Sequence, residues 1–241
     1  MDKAFSLIIS ISVSVLCVAL IAFLSYRRKP LTTRELALAA VCTGMSFGLS
    51  YIKIFEMPAG GAVTPASLAP VLVFAYIYGF RKGLIVGIAY GWLQIIQTPL
   101  FIVHPIQVLL DYIFAFGCIA FAGIFRNKGL PKAGMYDFLL GITLVGAGRF
   151  LCSFLAGIFF YAAFTPEGTS VWVYSAAYNS VLLIDTAICL AVCAALQYSP
   201  QFKRLVYQLT NDKGQMINND IARRPPIQED ADAGLKIENR D

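Results

Sequence analysis

From Ile106 to Phe125 the chain carries a single charge, Asp111. A run of this length and apolarity suits a helix that crosses a bilayer, because a helix satisfies its own backbone polar groups and lipid offers no substitute. Comparable runs lie at 4–26, 33–55, 65–80, 83–97, 136–164 and 173–198. The expectation is therefore an all-α membrane protein threaded through seven spans. Composition agrees: 58% of residues are hydrophobic and 14% charged, against about 25% charged in soluble domains. No short alternating segments suggest an outer-membrane barrel.

The basic residues set an orientation. With the N-terminus outside, Arg27, Arg28, Lys29, Arg34, Arg81, Lys82, Arg126, Lys128, Lys132, Lys203 and Arg204 fall at cytoplasmic ends, against Lys3 and Lys53 outside. Positive charge prefers the cytoplasmic side, so this arrangement predicts a multi-pass protein of the cell membrane with a cytoplasmic C-terminus. The same distribution offers no basic face for nucleic acid. Residues 1–30 form an N-terminal transmembrane helix with a basic linker, 31–200 a membrane domain, and 201–241 a cytoplasmic, mostly disordered tail. The six cysteines lie in apolar segments without C-x-x-C spacing, and there is one histidine, so metal-site and cofactor motifs are not in view.

Local signals refine the spans. Thr33 can cap the second helix, with Glu35 in its first turn. On that helix Ala40, Gly44 and Gly48 recur every four residues, a spacing that admits another backbone, from this chain or from a partner. Pro58, Gly60 and Gly61 predict a loop over 56–64. Gly83, Gly87 and Gly91 make a second small-residue stripe.

An ionised carboxylate in hydrocarbon costs roughly 3 kcal/mol or more, so Asp111 requires a partner. The topology gathers other polar residues at the same outer depth: Gln94 and Gln97, His104, Gln107 and Tyr112, Gly157 and Tyr161, then Tyr174 and Asn179. Such a set predicts a pocket for a flat ligand with a positive centre, since tyrosine faces attract cations and Asp111 supplies the counter-charge. Gly157 would leave room for a flat ring. Arg149 and Asp185 lie deeper and predict a buried pair or a coupling element. His104 at the mouth is either structural or a contact.

Taken together, Met-Pro-Ala-Gly-Gly (57–61), Gly-Ile-Ala-Tyr-Gly (87–91), His-Pro-Ile-Gln-Val-Leu-Leu-Asp-Tyr (104–112), Ala-Phe-Gly (115–117), Leu-Ala-Gly (155–157) and Val-Tyr-Ser-Ala-Ala-Tyr-Asn (173–179) resemble the substrate-binding S components of energy-coupling-factor (ECF) vitamin transporters, thiamine-specific subfamily. The resemblance runs from about Thr33 to Tyr198. It implies a six-helix S-component bundle, to which the N-terminal helix is an addition. It implies thiamine contacts at Asp111, Tyr112, Gly157, Tyr174 and Asn179, and docking of the transmembrane coupling subunit, itself joined to two ATPases, at Ala40 and Gly44. Glutamate is the usual form of the acid. Three positions depart from the pattern: Ser153 stands where a histidine is expected, Tyr161 where tryptophan is usual, and Ala59 where the outer loop has another tryptophan. A related pyrimidine or thiazole is thus an alternative ligand.

Two other functions compete. A self-sufficient proton-coupled transporter could use Asp111, Arg149 and Asp185, although no internal repeat of the kind common in such folds is visible. An intramembrane enzyme is disfavoured: the histidine has no serine nucleophile beside it, and neither intramembrane acid sits in a glycine–aspartate motif.

Overall fold

The computed structural model describes residues 31–57, 61–97, 104–127 and 135–209. The expected N-terminal helix, the tail beyond 209 and Ala59 lie outside the described residues. Helix α1 spans Thr33–Ser50 and starts with a capping box: the Thr32 hydroxyl accepts from the Glu35 N–H at 3.4 Å, and the Glu35 carboxylate accepts from the Thr32 N–H at 3.1 Å. The cap is therefore Thr32, not Thr33, because the reciprocal bonds require a three-residue spacing to Glu35.

The chain does not stay helical to Phe55. It turns into a two-residue antiparallel ladder, β1 (Phe55–Glu56) with β2 (Ala62–Val63), inside what sequence predicts as a plain loop. Helix α2, Ala69–Tyr78, starts later than Pro65 because Ala66 adopts a left-handed φ of 58°, which no helix continues. Gly79, with φ 87°, ends it.

Helix α3, Phe80–Gln97, follows at once. It runs parallel to α1: Lys82 pairs with Glu35 near both starts, and Gln97 donates to the Ser50 hydroxyl at 2.7 Å at both ends. Its glycine stripe lies against the next helix. A Cβ at Gly87 or Gly91 would collide with the carbonyl oxygens of Phe116 and Tyr112.

That next helix, α4, occupies residues 105–127 and changes pitch along its length. After Pro105–Val108 it widens to a π-helix over Leu109–Phe114, and it tightens to a 3-10 helix over Cys118–Asn127. Helix α5, Met135–Phe160, ends in a 3-10 turn at Ala162–Phe164. Helices α6 (Val171–Asn179) and α7 (Val181–Tyr198) meet at Ser180, where sequence predicts one uninterrupted helix. Among the described residues, Ile106–Phe125, Tyr136–Phe160 and Val171–Tyr198 are long and apolar enough to cross a membrane. They share a core with α2 that includes Phe74, Phe138, Ile142, Cys189 and Cys193.

Candidate functional site

The bundle encloses a cavity of about 220 Å³ at the end remote from Arg81 and Lys82. This is a little below the ~300–1,000 Å³ of pockets for drug-sized ligands. It is built where the helix periodicities break. The π turn of α4 carries Asp111 and Tyr112, and both line the cavity although they are sequence neighbours. On a regular helix of 3.6 residues per turn, neighbours point well apart; a π turn takes more residues and narrows that angle. π turns of this kind concentrate at functional sites.

Gln107 Nε2 donates to Asp111 Oδ2 at 2.9 Å, and Ser153 lines the same cavity. Among the described residues, no lysine, arginine or histidine forms an ion pair with Asp111. The Gln107 amide is neutral. Tyr161, Tyr174 and Tyr178 add aromatic surface to the wall, the last two with ring centres 6.2 Å apart.

A second acid lines the same cavity, and it is matched by charge. Arg149 Nη1 donates to Asp185 Oδ2 at 3.5 Å. Asp185 Oδ1 accepts from both the backbone N–H of Thr64 (3.1 Å) and its hydroxyl (2.8 Å). The Arg149 guanidinium also sits 4.8 Å from the centre of the Phe116 ring. The predicted buried pair is present.

Of the sequence-predicted site residues, Gln94, Gln97, Asp111, Tyr112, Ser153, Gly157, Tyr161, Tyr174 and Asn179 line the cavity. Gln107 does not. It is 1% exposed and lies behind the acid. His104 is also absent from the wall: it stacks on Phe160 at 5.1 Å, and its Nδ1 accepts from the Ile106 N–H, satisfying a free donor at the start of α4. Gly157 lines the cavity but leaves no room for a ring, because the space of its missing Cβ is filled by the Ser175 hydroxyl. That glycine instead lets α5 and α6 approach. Asn179 Nδ2 donates to the carbonyl oxygens of Ser153 (3.2 Å) and Ser175 (2.9 Å), so its amide ties the same two helices.

Residues 36–204 match the family model described as thiamine transporter protein (Thia_YuaJ). The chain belongs to this family. It is 31% identical over 150 residues to the "Thiamine transporter ThiT" of Bacillus subtilis, covering 59% of this chain and 78% of that protein. It is 27% identical over 179 residues to the protein of the same name from Lacticaseibacillus paracasei, covering 67% and 86%. The fold matches a solved ThiT from Listeria monocytogenes with a TM-score of 0.60 at 22% identity, over 70% of this chain and 96% of that one. This thiamine transporter family member is thus an all-α membrane protein, and membership places it among transporters rather than enzymes.

Several wall residues of this family member escape sequence reading. Tyr178 lines the cavity, and its hydroxyl accepts from the Gly61 N–H at 3.4 Å. Its spacing of four from Tyr174 was the available signal. Ser50 receives both Gln94 and Gln97, which are thereby committed within the protein. Thr64 carries no local signal, since its partner Asp185 is far away in the chain. On α1, Ala40, Gly44 and Gly48 are exposed, and added Cβ atoms at Gly44 and Gly48 would meet nothing within 4 Å. The stripe therefore does not pack within the described chain.

Proposed function

We propose that this chain is the substrate-binding S component of an ATP-driven ECF importer, holding thiamine or a related pyrimidine or thiazole in a cavity that faces outward across the cell membrane. The observation that carries this reading is Asp111: an acid in a tyrosine-lined cavity that, among the described residues, forms no ion pair and takes a hydrogen bond from the neutral Gln107 amide. A thiazolium ring supplies the missing positive charge, and the tyrosine faces add cation–π attraction of about 0.5–2 kcal/mol. Asp111, Tyr112, Ser153, Tyr161, Tyr174 and Asn179 form the binding wall, with Gly157 setting the helix spacing that supports it. The exposed Ala40–Gly44 stripe suits docking of the transmembrane coupling subunit, which joins the two ATPases. The N-terminus lies outside and the C-terminus in the cytoplasm, in keeping with Arg34, Arg81, Lys82, Lys203 and Arg204 at the end opposite the cavity.

The test is a titration of the purified chain in detergent, without ATP, following Trp172 fluorescence. Thiamine saturates the signal, and its separate pyrimidine and thiazole halves bind more weakly. No saturable response to thiamine or either half sinks the assignment. A second reading, a proton-coupled transporter working alone, draws on the Arg149–Asp185 pair in the cavity wall. Proton-driven thiamine uptake into vesicles holding only this chain would establish it in place of the first.

A further inference from the structure

We propose that Asp185 is a positioning residue for the cavity: its carboxylate latches the wall formed by the β1–β2 ladder to α7, so ligand release is governed by a tie made within the wall. This rests on the binding-subunit reading above. Gly61, Ala62 and Thr64 form one side of the cavity, yet the ladder that carries them is two residues long per strand. A ribbon that short has little stability of its own, so its placement depends on ties to the bundle. One tie is the longer bond from the Gly61 N–H to the Tyr178 hydroxyl, at 3.4 Å. The stronger one is at Thr64, directly after β2, where Asp185 Oδ1 receives a backbone N–H and a hydroxyl together. Both are hydrogen bonds to a charged acceptor, the stronger class.

The latch is braced from both sides. Arg149 faces the other carboxylate oxygen and holds the charge in place. The Ser67 hydroxyl lies 2.7 Å from that of Thr64, where it can donate while Thr64 donates to Asp185. Between Thr64 and Ser67, Ala66 holds its left-handed φ of 58°, a conformation disfavoured for any residue with a Cβ and retained where the surroundings fix it. Asp185 is 3% exposed, so it is placed to hold the wall and offers little surface to a ligand.

Thr64→Val removes the hydroxyl and leaves Arg149–Asp185 intact; Thr64→Ser restores the donor. Hydrogen exchange is followed at the amides of Ile54, Met57 and Thr64 in the ligand-free, purified full chain, and thiamine association and dissociation are timed by stopped flow. Thr64→Val is expected to exchange faster at these amides. Thiamine dissociation is expected to quicken by about tenfold, the order of one charge-assisted hydrogen bond, with association little changed. Thr64→Ser returns both to wild-type values. Unchanged exchange in Thr64→Val overturns the latch, and so does faster exchange with wild-type dissociation. If wild-type protein binds no thiamine, the binding-subunit reading fails, while the exchange comparison still decides whether Thr64 holds the ladder.

Discussion

Asp111 and Asp185 line one cavity and are satisfied in opposite ways. Asp185 has a guanidinium on one oxygen and two donors from Thr64 on the other. Asp111 has the Gln107 amide, with Ser153 in the same wall. Neutral donors orient a carboxylate without cancelling its charge, and in a low-dielectric wall that charge stays costly until a cation arrives. The difference separates architecture from recognition: an acid matched inside the protein holds elements together, and an acid matched only by dipoles is left for a ligand.

The largest effect expected from this contrast is on stability. Asp185→Leu strands Arg149 as a buried, uncompensated cation, and breaking such a pair costs about 3–5 kcal/mol. Thermal melting in detergent should show a correspondingly large drop. The double variant Arg149→Met/Asp185→Leu, which removes both charges, should regain much of it. A single variant that melts like wild type would mean that the pair is not structural, and the two acids would no longer be distinct.

Asp111→Asn sharpens the contrast from the other side. It keeps the shape and removes the charge, so the fold should melt at or above the wild-type temperature. Thiamine binding should weaken by about 2 kcal/mol, roughly thirtyfold in Kd, the scale of a lost charge-assisted contact. Unchanged affinity in the titration would remove Asp111 from the site, and a large loss of stability would make it a structural acid like Asp185.

Three of the expected spans, Ile106–Phe125, Tyr136–Phe160 and Val171–Tyr198, were legible because lipid imposes a length and an apolarity that single residues report directly. Asp111 stood out for the same reason, as the one charge in its run. Pitch changes were not legible. The π turn at Leu109–Phe114 and the break at Ser180 lie in stretches that read as smooth helix, and the close approaches beside them, the Tyr112 carbonyl oxygen at Gly91 and Ser175 at Gly157, involve other helices that no local pattern names. Small residues were recognised as stripes, but their neighbours were not. Gly157 reads from sequence as space for a ligand and serves instead as space for α6. The Thr64 latch joins a loop to the last membrane helix, and no local pattern announces so long a link.

Gln107 gives the smallest effect and the finest discrimination. It sits among the predicted contacts, yet its amide lies behind the acid, 1% exposed, outside the cavity wall. Gln107→Met keeps volume and removes the donor. The carboxylate then loses a buried hydrogen bond, and the ligand-free fold should lose about 1 kcal/mol by thermal melting. Thiamine affinity should hold within a few-fold, with any change toward tighter binding, because the ligand's positive charge becomes a larger share of what stabilises Asp111. A tenfold loss of affinity with unaltered melting would put Gln107 in direct contact with the ligand. The cavity wall would then extend behind Asp111, and the acid would be read from two sides.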